Sequence, residues 1–261
     1  MALVAVVTAG TALQAQETTI PMSTVAQKNR AREHKITGRF EMNYLRHYLW
    51  RGAVFGNNDV AQPELELTHK NFSLLLSQNL NYRPKNVPKE FYTRNAFFDE
   101  QDVEIRYTRN WNKLCTETSL LAYFYFFQPQ SPNTAELLNW SSYNFYRDLS
   151  VFTENSVDIL TYRGAWYSNN GLVFDHDINE DLNIEWSAYA ALANTTFNKT
   201  YYGTDAPGLV LVGSHAEITK DFRKYFIKLT GEINSYRKNT IRTATGLKGT
   251  NNFGIAAGVN F

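Results

Sequence analysis

The chain has 261 residues, of which 26 are basic and 25 acidic, giving a formal net charge of +1. This balance provides none of the positive charge that nucleic acid requires, so we expect no nucleic-acid partner. A single cysteine, Cys115, excludes an internal disulfide. No run approaches the roughly 20 apolar residues of a transmembrane helix.

The N-terminal residues predict export. Residues 1–15 are apolar and end in small residues, as a signal peptide does, although its usual basic start is missing. We interpret them as a signal peptide with a truncated start, cleaved near Ala15; the alternative is a buried N-terminal helix. Residues 16–35 are polar and locally basic, and they are expected to form a solvated arm.

From Ile36 onward, apolar and polar residues alternate with a period of two, which predicts β-strands and excludes amphipathic helices as the main element. Residues 136–170 are the least regular part, and we place a turn there between residues 147 and 154. About twelve strands result. The predicted strands are 36–44, 63–68, 72–82, 102–108, 114–126, 138–142, 157–161, 172–178, 184–192, 210–218, 225–233 and 251–261.

The connections between these strands alternate in length. Short turns are predicted at 69–71, 109–113, 179–181 and 219–223. Alternating short and long connections are typical of a transmembrane β-barrel. We therefore predict an all-β fold, with residues 36–261 forming one antiparallel transmembrane β-barrel. The long polar connections are 51–59, 83–97, 128–135, 194–208 and 237–250.

Charged residues occur in the middle of the predicted strands, on the face opposite the apolar one. A face that carries both signs suits a wet lumen better than a dry core. Tyrosine and tryptophan lie near strand ends, as expected at lipid headgroups; they include Tyr44, Tyr48, Trp50, Tyr82, Tyr107, Trp111 and Tyr225. The predicted pore-lining residues are Arg39, Glu41, Glu64, Glu66, Asp102, Glu104, Arg106, Glu117, Glu185, Lys228 and Glu232.

Three stretches resemble the TorF-like outer-membrane porin family of Gram-negative bacteria: Tyr48-Leu49-Trp50-Arg51-Gly52, Gln62-Pro63-Glu64-Leu65 and the terminal Phe261. The resemblance implies a barrel of the outer membrane and carries over no catalytic or ligand residue. By physical argument, Trp50 suits the interface at the outer end of the first strand, and Gly52 permits the turn that follows. Arg51 is expected to snorkel or to form a salt bridge across the rim, with ligand gating as the alternative.

Two short motifs suggest chemistry but fail on strand geometry. Asp175-His176-Asp177 lacks the glycine and glutamate of a calcium loop, and His176 falls on the face opposite both carboxylates. Ser214 and His215 likewise point to opposite faces, so they cannot form a nucleophile pair. We expect no metal, no cofactor and no enzymatic activity.

Three functional hypotheses remain. The first is an outer-membrane channel of about twelve strands for passive diffusion of small polar or charged solutes; such a barrel is narrow, and its acidic wall gives a mild cation preference. The second is a structural or adhesive barrel with a closed lumen and functional outer loops. The third is an outer-membrane enzyme. The expected partners are outer-membrane lipid and lipopolysaccharide, the assembly machinery and small solutes, and Phe261 is the predicted membrane-assembly signal.

Overall fold

The structure, a computed structural model, describes residues 35–56, 59–81, 100–125 and 132–261. The predicted signal peptide lies outside these residues, as do the arm up to residue 34, Tyr82, the 83–97 connection and the first part of the 128–135 connection.

Fourteen strands and two short helices are present in the described residues. Neither helix is long and apolar enough to cross a membrane. The strands are β1 (Thr37–Leu45), β2 (Tyr48–Trp50), β3 (Ala53–Gly56), β4 (Val60–His69), β5 (Phe72–Asn81), β6 (Glu100–Trp111), β7 (Leu114–Phe124), β8 (Thr134–Tyr146), β9 (Leu149–Asp158), β10 (Trp166–Asn179), β11 (Leu182–Ala193), β12 (Gly208–Phe222), β13 (Tyr225–Tyr236) and β14 (Gly249–Asn260). The helices are α1 (Thr195–Tyr202) and α2 (Asn239–Thr245).

Twelve of these strands form one closed antiparallel barrel. Its order is β1-β14-β13-β12-β11-β10-β9-β8-β7-β6-β5-β4, with β4 pairing back to β1, while β2 and β3 form a separate two-stranded sheet. The predicted all-β barrel of about twelve strands is confirmed. Closure leaves none of the twelve barrel strands with an unpaired edge, which is the condition for strands to cross a lipid bilayer.

The first and last strands of the barrel, β1 and β14, pair where the barrel closes. The Phe261 and Gly38 backbones exchange two hydrogen bonds, of 2.7 and 2.8 Å. A Cβ atom on residue 38 would overlap the Phe261 ring as it is placed, so the glycine allows the two strands and this ring to approach closely. The Phe261 side chain remains 64% exposed.

Alternation along the strands separates two faces. The outward face is largely apolar and exposed, as at Phe40 and Met42 on β1 and Ile255 on β14. Tyr44, Tyr107, Trp111 and Tyr225 also lie exposed on strands of the barrel, as expected for the headgroup regions. The inward face carries charged residues such as Glu41 and Glu104 and is mostly buried.

Two-residue turns join the strands at one end of the barrel, which is the periplasmic end in this class of fold. Lys70, Asn112, Arg147 and Arg223 begin four of these turns with φ between 44° and 62°, the conformation that tight hairpins need. The predicted turns at 109–113 and 219–223 are too long, because the flanking strands continue to Trp111 and Phe222.

The prediction for residues 136–170 is partly wrong. The turn between β8 and β9 lies at 147–148, and β9 ends at Asp158, so residues 159–161 are not strand. The inward face here mixes Glu136, Leu138 and Trp140, which blurs the polar and apolar alternation on which the prediction depended.

Candidate functional site: the lumen and its inward-folded hairpin

The strand register places all eleven predicted pore-lining residues on the inward face. Across the β1–β4 ladder, Arg39 pairs with Glu66 and Glu41 with Glu64. Further along the wall, Glu185 pairs with Glu217. Paired residues of an antiparallel ladder share one face, so these groups surround one lumen.

One ion-pair network joins β1, β12 and β13. Glu41, which is 2% exposed, lies 2.6 Å from the Arg39 guanidinium and 2.7 Å from Lys228 Nζ. Lys228 also lies 3.5 Å from a Glu217 oxygen. The Arg39 guanidinium sits 4.1 Å from the ring centre of Phe226. Each buried charge in this network therefore has a partner of the opposite sign.

A second network joins β6 and β7. Arg106 makes a two-point contact with Glu104, with Nε–Oε1 and Nη2–Oε2 distances of 3.1 and 2.7 Å. The same guanidinium lies 3.1 Å from Glu117. Two carboxylates thus share one cation, leaving a local excess of negative charge.

The remaining predicted residues add mainly carboxylates. Asp102 accepts a 3.4 Å hydrogen bond from Ser77. Glu232 accepts bonds from Tyr189 and Asn234, and Glu185 is buried on β11. Within the described residues, no ion pair links Glu64 or Glu66 to a cation. Eight of the eleven predicted residues are acidic and three are basic, so the inward face is acidic.

The hairpin β2–β3 occupies the outer end of this lumen. Arg51 and Gly52 form its turn, with φ of 47° and 79°, so the role predicted for Gly52 is confirmed. The expected position of Tyr48 and Trp50 at the lipid interface is wrong, because they are 1% and 0% exposed. The stretch after β1 folds into the barrel instead of lying on its rim.

The Arg51 guanidinium forms a buried two-point ion pair with Glu136 on β8, at 2.9 and 2.7 Å. Around the barrel, β8 is five strands away from β1, so the pair spans the lumen. Burial alone would lower the pKa of Arg51, but the Glu136 carboxylate outweighs it and the net effect is a raised pKa. The predicted salt bridge therefore exists, but within the lumen.

Hydrogen bonds from several parts of the wall hold the hairpin in place. The Tyr48 hydroxyl donates to Glu100 on β6 at 2.8 Å. The carbonyl of Arg51 accepts from Tyr202 on α1, and that of Gly52 accepts from Tyr236 on β13, both at 2.5 Å. These contacts lie on well-separated elements of the wall, so they fix the hairpin across the lumen.

Aromatic packing against α1 fixes the hairpin at the outer end of the lumen. The Trp50 ring stacks on Phe197 at 5.6 Å and meets Tyr201 edge-on at 4.8 Å. Asn194 caps the helix by accepting from the Phe197 N–H at 2.9 Å. The buried members of this cluster are Trp50, Ala53, Ala165, Tyr167, Ala191, Ala193, Phe197, Tyr202, Val210, Leu211, Tyr236 and Ile241.

The two motifs rejected from strand geometry lie as that geometry predicts. Ser214 accepts a 2.9 Å bond from the outward Trp186 indole, whereas His215 is buried on the inward face. His176 contacts Asp148, while Asp175 and Asp177 both accept from Asn183 on the other face. The described residues contain no group of three or more His, Cys, Asp or Glu that could hold a metal ion.

The sequence did not single out Glu136, Glu100 or α1 as parts of the site. The helix has a local signal, since Asn194 is a good N-cap and Gly203 ends it with φ of 68°. Glu136 has none, because its partner Arg51 is 85 residues away in the chain.

Among solved structures, this geometry is similar to that of outer-membrane porins. The NanC porin has a TM-score of 0.52 at 10% identity, with 85% of this chain and 98% of that chain covered. The KdgM porin, solved alone and with a disordered oligogalacturonate, has a TM-score of 0.50 at 9% identity, covering 86% and 99%. The chain has the fold of these porins.

No protein-family model and no curated protein matches the chain. The location follows from the surface itself. A closed antiparallel barrel with an apolar outer band and exposed aromatic residues is how chains cross the bacterial outer membrane. This chain is an outer-membrane protein.

Proposed function

We propose that the chain is a channel for passive diffusion of small polar or charged solutes across the outer membrane. The observation that carries this proposal is the inward face, where charges of both signs occur on strands around the barrel. Apolar side chains would fill a purely structural interior at lower free-energy cost. A water-filled lumen keeps these charges hydrated and allows them to interact with polar solutes.

The acidic excess favours cations. Glu64 and Glu66 lie on β4, between the two ion-pair networks, and neither is ion-paired within the described residues. Carboxylates along a narrow path attract cations and repel anions. Oligogalacturonate, the polyanion in the KdgM complex, therefore differs in charge from the solute class that we propose here.

The hairpin β2–β3 sets the narrowest level of the proposed path. Because the Arg51–Glu136 pair crosses the lumen, solutes pass beside it and only small ones fit. A gating role for Arg51 belongs to the same proposal, since breaking this pair would free the tip of the hairpin.

The structural alternative has its own support. The buried aromatic cluster at the outer end is what a permanently closed lumen needs, and function would then reside in the outer loops. An enzyme is the weakest of the three hypotheses, because Ser214 and His215 face opposite sides of the wall. From the Tyr48–Gly52 stretch we also propose that the chain belongs to the TorF-like porin family.

Single-channel recording of pure, refolded protein in a planar bilayer separates these functions. Step openings, with a reversal potential in a KCl gradient that indicates cation preference, support the channel. An absence of openings from fully folded protein would favour the closed barrel. Lipase and protease assays of wild type and His215→Ala should show no activity above background; activity lost in the variant would support the enzyme.

A further inference from the structure

The lipid-facing surface carries a polar patch on one side of the barrel. It consists of Thr116 and Thr118 on β7, Asn139 and Ser141 on β8, Thr153 and Asn155 on β9, and Ser168 and Asn170 on β10. The register makes these residues lateral neighbours: Thr118 pairs with Asn139, Asn139 with Asn155, and Thr153 with Asn170.

The patch lies at the middle of the apolar band. The row on its outer side is Leu120, Leu137, Val157 and Trp166, and the row on its periplasmic side is Leu114, Tyr143, Val151 and Leu172. Bands of this kind are about 25 Å tall, so apolar rows on both sides keep these amides away from the headgroups.

Hydrogen bonds within the patch use only part of the donors and acceptors that its side chains offer. Thr153 donates to Asn170 at 2.7 Å, and Asn155 donates to Thr153 at 3.2 Å. Ser141 donates to Asn139 at 3.3 Å. Asn139 in turn donates to Thr118 and to the Glu117 carbonyl, both at 3.2 Å, and Asn170 donates to Ser168 at 2.9 Å. An amide has two donors and an acceptor oxygen, yet Asn155 uses only one N–H within the described residues. Such groups are costly against hydrocarbon.

The other side of the barrel has the surface expected against lipid. Phe40 and Met42 on β1, Leu229 on β13 and Ile255 on β14 are all exposed there. The patch is therefore confined to neighbouring strands and is not a general property of the wall.

We propose that the polar patch is the contact surface between two copies of this chain in the outer membrane. The patch carries no charge, and its amides and hydroxyls both donate and accept, so it is complementary to itself. A two-fold contact sets the same surface against itself and supplies the missing partners. A head-to-tail ring that used the β1 side would instead place these amides against Phe40 and Met42. The proposal is independent of channel activity.

Crosslinking in native outer membranes tests this contact. Asn155→Cys, made in a Cys115→Ser background, is treated with a short bifunctional maleimide and run on a denaturing gel. The matched control is Met42→Cys in the same background, which lies six strands away around the barrel. We expect a species of twice the monomer mass, containing this chain alone, from position 155 but not from position 42.

A second set of variants tests the role of the polar groups. Asn139→Leu, Thr153→Val and Asn170→Leu added to Asn155→Cys should abolish the crosslink, with folding checked by the barrel's resistance to unheated detergent. If that combination does not fold, Asn170→Leu alone should reduce the crosslinked fraction severalfold. Equal crosslinking at positions 155 and 42, none at either, or a product that contains another protein would overturn the proposal.

Discussion

Arg51 makes several of the interactions that hold the hairpin in the lumen. Its guanidinium pairs with Glu136 at two points and lies 4.3 Å from the Trp50 ring centre and 5.1 Å from that of Tyr167. Its backbone has φ of 47°, a conformation that a non-glycine residue keeps only when its surroundings enforce it. The ion pair and the tyrosine contacts provide that enforcement.

Breaking this ion pair should both destabilise the barrel and widen the path. Arg51→Met leaves the Glu136 carboxylate buried without its cation, so we expect the free energy of unfolding to fall by about 3 kcal/mol. Urea unfolding in lipid vesicles measures this loss, and bilayer recording should show a severalfold larger conductance. The double variant Arg51→Met with Glu136→Leu should recover most of the stability.

Arg163→Ala, which removes an exposed arginine from the β9–β10 connection, is the charge control and should change neither quantity. An Arg51→Met protein as stable as wild type and of unchanged conductance would show that the pair does not hold the hairpin.

The carboxylates of β4 should determine ion selectivity. Glu64→Gln with Glu66→Gln removes two ionisable carboxyl groups from the inward face with little change in side-chain size. We expect the reversal potential in a KCl gradient to move towards that of a non-selective pore, because fewer fixed charges attract potassium. Glu180→Gln in an exposed periplasmic turn is the control and should leave it unchanged. An identical shift in both variants would place the selectivity outside the lumen.

At the scale of elements, strands with one clean apolar face were predictable from sequence. In β14 the outward residues Phe253, Ile255, Ala257 and Val259 are all apolar, and the strand spans Gly249–Asn260 where 251–261 was predicted. The inward position of hairpin β2–β3 was not predictable. Tyr48 and Trp50 are residue types that also occur in the aromatic girdle at the lipid interface, and only their contacts with residues far away in the chain show that they lie in the lumen. Residue type alone does not distinguish an aromatic side chain that faces lipid from one that fills a lumen.

Deleting Phe261, which follows the last strand, should impair assembly of the barrel in the outer membrane. Phe261 closes the barrel through its backbone but leaves its ring exposed, so deleting it removes the predicted assembly signal and only the last rung of the ladder. We expect a marked fall in the amount inserted into the outer membrane, measured by immunoblot, with unchanged conductance of refolded protein. Phe253→Ala, which removes another exposed ring from the same strand, should assemble normally. Equal losses in both variants would assign the effect to general hydrophobicity.

At the scale of the whole molecule, the lumen has two levels that differ in their lining. The periplasmic part of the lumen is lined by ion-paired and unpaired carboxylates, and the outer part is crossed by the hairpin and packed against α1. Strand number and the charged inward face were predictable from sequence because both follow from local periodicity. The position of hairpin β2–β3 across the lumen depends on contacts between residues far apart in the chain, so only the folded structure reveals it.

We propose that the hairpin β2–β3 narrows an otherwise conducting, acidic lumen. Leu45 and Val60 are paired neighbours on β1 and β4, so a short Gly-Ser linker can replace residues 47–58 without straining the wall. Single-channel conductance of this shortened protein, compared with wild type in the same bilayer, is the most direct test. We predict a severalfold larger conductance that keeps its cation preference. A shortened barrel that folds but conducts no better than wild type would contradict the account.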